Sequence, residues 1–167
     1  FRNMIQAFLV VKQGEGAQAF LDTYTSFLPK HFRSDCEKIA QASIWFWQQK
    51  YQEVIQHLNG AKSPQTNFIL QVDLYRLQIK SWLELGDQYQ LDMYLRRFDQ
   101  YLKDKKHPET KREALKAFTK ACRMLMSPNA FTPHKKRQFL QEVLPNAPIS
   151  DQIWLRQQWE KRGEATE

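Results

Sequence analysis

With 167 residues, 42% of them hydrophobic and 13% aromatic, the chain has too much apolar material for a disordered segment. It is long enough to bury a core without disulfides or a metal. Its longest apolar runs, "AFLVV" and "IWFW", fall far short of the roughly 20 residues that span a bilayer, so no membrane insertion is expected. The net charge of +7 points toward acidic rather than basic partners.

Apolar residues recur at helical spacing from the start, with 5 Gly and 7 Pro falling almost entirely between the periodic segments. The spacing predicts a first helix over 1–12, ended by "KQGEG", and a second over about 17–28, ended by Pro29. A third over about 34–48 carries Trp45, Phe46 and Trp47, and a short fourth stops near Asn59 and Gly60. "AKSPQT" reads as a loop before a fifth helix over about 67–85. Gly86 suits the residue after that helix, and Asp87 the N-cap of a sixth. In the sixth, Leu91, Leu95, Phe98 and Leu102 form one apolar stripe. Residues 105–108 break it. A seventh helix over about 109–126 is striped by Leu115, Phe118, Cys122 and Leu125, an eighth covers about 133–143, and a ninth opens at Ser150 and Asp151. No useful length alternates with period two, so the predicted class is all-α with about nine helices.

The helices pair. Aligning the turns inside three successive pairs sets Gly14, Gln49 and Gly86 in equivalent places, with separations of 35 and 37 residues. Periods of this size mark stacked helix pairs, since one pair cannot bury its apolar face alone. The best unit is "YRLQIKSWLELGDQYQLDMYLRRF", with Tyr75 and Trp82 on its first helix, the Gly86-Asp87 turn, and Leu91 and Leu95 on its second. In the unit before, Ala42 takes the small position, Trp45 and Tyr51 the aromatic ones, Val54, Leu58 and Ala61 the packing face, and Pro64 the terminal proline. The first unit matches through Ala7, Val10, Gly14 and Ala19. This arrangement resembles the tetratricopeptide repeat over about residues 1–105. Gln41 and Gln78 stand where that family has leucine, and Ile79 where it has a small residue.

The resemblance implies one helical-repeat domain over 1–167: three pairs in 1–104, a degenerate fourth pair in 109–144, and a capping helix over 150–162 in which Trp154 and Trp159 cover the end of the array. A weaker resemblance, through "FRN", "KYQEVIQHL" and "IWLRQQWEK", is to the C-terminal part of large bacterial helical-repeat proteins. Together with Phe1 as first residue, it suggests a piece of a longer protein.

Three consecutive rings on a helix sweep about 200° and cannot share a face. Trp45 is expected in the core. If the helices wind as the family's do, Phe46, Trp47, Arg76 and Lys80 are candidates for a concave partner-binding groove, although for Phe46 and Trp47 burial against an adjacent helix is the favoured reading. The lysine and asparagine set that clamps a peptide carboxylate in some relatives is not reproduced.

Charge is concentrated. Residues 103–137 hold 11 basic side chains against 3 acidic, whereas residues 1–102 hold 11 against 10. Within the seventh helix, Arg112, Lys116, Lys120 and Arg123 form one basic stripe, either a solvated face or a site for an acidic peptide or phosphate. Nucleic acid is the alternative partner, weakened because the aromatics and the stripe lie in different pairs and no nucleic-acid module is visible. Cys36 and Cys122 on apolar stripes read as buried thiols in a reducing, cytoplasmic setting, a disulfide between them being the lesser reading, with no histidine at metal-ligand spacing. His31, His57, His107 and His134 fall near helix ends or in loops. No phosphate loop, metal motif or nucleophile elbow appears. The sequence therefore predicts no catalysis, no metal and no cofactor, but a scaffold or protein-interaction domain. A regulatory domain of a larger enzyme is the remaining alternative.

Overall fold

A computed structural model describes residues 1–59, 68–103, 109–127 and 132–164. Among these residues there are nine α-helices and no strand, the class that the periodicity predicts. They are α1 (Arg2–Val10), α2 (Gly14–Tyr24), α3 (Lys30–Trp47), α4 (Tyr51–Leu58), α5 (Phe68–Leu85), α6 (Gln88–Leu102), α7 (Glu109–Met126), α8 (Pro133–Gln138) and α9 (Ile149–Glu164). Ala61, Pro64 and the predicted break at residues 105–108 lie outside the described residues. The chain divides into two compact units, Phe1–Leu91 and Asp92–Glu167.

In the first unit a turn geometry recurs. Lys12, Gln49 and Gly86 all have positive φ, at 61°, 62° and 74°, spaced 37 and 37 residues apart. Each follows the end of a first helix. The Lys12 N–H donates to Leu9 O and the Gln13 N–H to Phe8 O; one unit later Gln49 N–H donates to Phe46 O and Lys50 N–H to Trp45 O. This pattern is the Schellman motif, which satisfies helix-end carbonyls through one left-handed residue. Gly86 N–H repeats the inner bond, to Leu83 O. The second helices begin in register at Gly14, Tyr51 and Gln88, and the Asp87 carboxylate caps the last by accepting from Gln90 N–H at 3.0 Å. The turn position in the first pair is thus Lys12 rather than the aligned Gly14. Glycine is the usual left-handed residue, but Gly14 lies under the Trp47 ring and serves packing instead.

The packing follows the same register. The first helices form a row, α1 on α3 and α3 on α5, while α2 packs on α3 and α4 on α5. One core cluster joins Ile5, Leu9, Ala17, Leu21, Ala40 and Ile44 across α1, α2 and α3. The next joins Ile39, Ala42, Val54, Leu58, Leu70, Leu74 and Leu77 across α3, α4 and α5. Residues 37 apart hold like places: Ile5, Ala42 and Ile79 are all buried, as are Ala17, Val54 and Leu91. The ring pair Phe8–Phe20, with centroids 5.9 Å apart, recurs as Trp45–His57 at 4.9 Å. α3 starts at Lys30, earlier than the pattern suggests, because Pro29 with ψ 135° supplies the extended residue before it.

In the second unit α7 turns Leu115, Phe118, Cys122 and Leu125 inward and packs against α9 and the segment before it. α8 opens at a capped terminus, with Thr132 Oγ1 accepting from Lys135 N–H and Pro133 in the first turn. The predicted single helix over 133–143 is α8 followed by a π-helical turn, Phe139–Val143. That wider turn brings Phe139, Val143 and Leu144 inward together. Trp159 of α9 stacks on Phe139 at 4.3 Å and is buried, whereas Trp154 is half-buried.

Candidate functional site

The two candidate surfaces lie in different units, so each is built separately. On α3 the consecutive rings diverge as helix geometry demands. Trp45 is half-buried against the second core cluster, as is Phe46. Phe46 also meets Tyr51 of α4 at 5.3 Å, and the Lys80 ammonium of α5 sits 4.8 Å from its ring centroid. That is a cation–π contact, so the cation and the ring satisfy one another. Trp47 points elsewhere: a Cβ on Gly14 would fall 2.8 Å from its Cε3 atom. The indole therefore lies over the α2 backbone, and its 40% exposure is one edge of a packed ring.

Arg76, the fourth groove candidate, belongs to an ion cluster that the sequence did not flag. Asp73 is buried and accepts from Arg2 Nη2 of α1 at 2.7 Å and from Arg76 Nη1 at 3.2 Å, and Arg2 Nε also donates to it. The i, i+3 spacing of Asp73 and Arg76 was the available signal. The structure thus joins Phe46 with Lys80, seats Trp47 on α2 and pairs Arg76 with Asp73. Neighbouring groups are tuned by burial. The Tyr51 hydroxyl is pushed up to about 12, first by desolvation and then by Glu84. His57 is held below its ordinary value by desolvation and by Lys38. Cys36 is raised by burial and by Asp35, which keeps it a thiol rather than a nucleophilic thiolate. It lines a cleft with Arg2, Ile39, Ser43 and Leu70 of about 10 Å³, room for about one water.

On α7 the basic stripe runs beside the apolar one. Arg112 and Arg123 are half-buried at its margin, while Lys116 and Lys120 are exposed. Arg123 donates to Asp99 of α6, so it ties two helices together. Lys116 pairs with Glu113 at 2.7 Å on the open surface, a contact worth little. Lys111, on another side of α7, and Lys136 of α8 are also exposed, and Lys135 is half-buried. Of the remaining basic residues in the segment, Lys105 and Lys106 lie outside the described residues, as does His107.

Among the described residues no group of three or more His, Cys, Asp or Glu side chains could hold a metal ion, and no helix is long and apolar enough to cross a membrane. No protein-family model, no curated protein and no solved structure matches the chain.

Proposed function

We propose that the chain is a tetratricopeptide-like, non-catalytic interaction module that binds an acidic protein segment on the exposed cationic face of α7. The carrying observation is the asymmetry between the two surfaces. The groove candidates already have partners within the chain, Phe46 with Lys80 and Arg76 with Asp73. The α7 face instead presents to solvent Lys120 and Lys116, the latter in an open-surface pair with Glu113, in the segment with 11 basic side chains against 3 acidic. The turn that recurs every 37 residues supports the repeat reading, because such scaffolds are interaction surfaces built by stacking.

The test is a fluorescence-anisotropy titration with a labelled glutamate-rich peptide, and with single- and double-stranded oligonucleotides, over a range of salt. The reading expects peptide binding that weakens with salt and is lost at least about tenfold in Lys116→Glu/Lys120→Glu. Tighter binding of oligonucleotides than of peptide replaces it with the nucleic-acid reading. Loss of peptide binding in Phe46→Ala/Lys80→Ala, with the α7 variant unaffected, moves the site to the groove.

A further inference from the structure

We infer that the exposed face of α1 is a docking surface for one further helix pair of the chain's own 37-residue kind, stacked as α1 and α2 stack against α3. The repeat itself identifies the face. In α3 the arc that meets the preceding pair consists of Ala40, Gln41, Ile44 and Trp47. Ala40 and Ile44 enter the α1–α2 core cluster, Gln41 pairs with Gln18 of α2 at 3.2 Å, and Trp47 covers Gly14. In α5 the positions 37 residues on behave alike. Leu77 joins the α3–α4 cluster, Gln78 and Ser81 are buried, and Glu84 acts on Tyr51, the residue 37 places after Gly14.

The same positions in α1 are Asn3, Met4, Ala7 and Val10. All are exposed, Met4 at 48% and Val10 at 75%. Three of the four are apolar, and Ala7 occupies the place where Ile44 and Ser81 are each 0% exposed. The interface that joins α1 and α2 to α3, and α3 and α4 to α5, is therefore continued by an uncovered surface of the same register. Its complement is the trailing face of such a helix pair. In a second copy of this chain the trailing faces of the α1–α2 and α3–α4 pairs are already covered, by α3 and by α5, so the occupant whose register this face continues is an additional pair.

The experiment supplies that pair. Residues 1–37 are duplicated ahead of Phe1, which preserves the register, and amide hydrogen exchange in the original α1 is compared between the extended and the 167-residue chains. The inference expects exchange of the original α1 to slow by about tenfold or more. Ala7→Arg in that original helix should abolish the slowing while leaving the exchange and melting of the 167-residue chain unchanged, since Ala7 is exposed there. A folded extended chain whose original α1 exchanges as before overturns the inference. So does light scattering that finds the 167-residue chain dimeric and Ala7→Arg monomeric, because the occupant is then a second copy.

Discussion

Residues 1–91 and 92–167 differ in how deeply they bury the carboxylate of an inter-helix ion pair, 9% exposed at Asp73 against 33% at Asp99. In the first unit a buried carboxylate, Asp73, gathers Arg2 of α1 and Arg76 of α5, so the charges tie separate helices of the stack together. In the second, Arg123 and Asp99 also join two helices, but the carboxylate is 33% exposed, and the lysines of α7 face water. The difference separates a scaffold from a surface. Charges that are desolvated and paired specify packing, and charges left in solvent are available to a partner.

The largest effect expected of this contrast comes from Asp73→Ala. It removes the buried carboxylate that Arg2 and Arg76 share and should cost about 2–3 kcal/mol in denaturant unfolding. Asp99→Ala, made between half-exposed partners, should cost less, about 1 kcal/mol. Equal costs would remove the distinction between the units. Next, Gly14→Ala forces the Trp47 indole off α2 and should destabilise by about 1–3 kcal/mol. Trp47→Ala made together with it should recover part of that loss, since the clash is with the ring.

Smaller is the pH term. Because Tyr51 is raised to about 12 in the folded chain, the folded state keeps its proton where the unfolded chain, near its ordinary value of about 10, has lost it. Stability should therefore be intact below about pH 10 and fall as pH rises toward 12. In Tyr51→Phe that alkaline loss should shrink. His57 works in the other direction. Its lowered value means the unfolded chain binds the proton first, so its contribution is present above about pH 6.5 and is lost on acidification. His57→Phe, which installs the ring that Phe20 supplies one unit earlier, should flatten that acid limb.

The helices were legible because their signals are local. Apolar spacing, the Asp87 cap and the Gly86 turn all appear in the structure where the sequence puts them. The register of the first pair was not, because its left-handed residue is a lysine, and a Schellman turn at Lys12 has no compositional mark. Nor was the partition of the aromatics fully legible. Helix geometry separates Phe46 from Trp47, but only the fold brings Lys80 over one and Gly14 beneath the other. Asp73 was missed for the same reason: Arg2 is 71 residues away in sequence. The π-turn at Phe139–Val143 carries no breaker residue and reads as ordinary helix.

One left-handed turn recurs every 37 residues in the first unit, borne by two ill-suited residues and one suited one. Measuring unfolding free energies of Lys12→Gly, Gln49→Gly and Gly86→Ala tests it most directly. Relief of left-handed strain should stabilise each of the first two by about 0.5–1 kcal/mol, against a cost of about 1 kcal/mol for the third, whose added Cβ meets no neighbour and so reports backbone strain alone. If both glycine substitutions destabilise, as they would at ordinary helical positions, the recurring turn is absent and the 37-residue repeat with it.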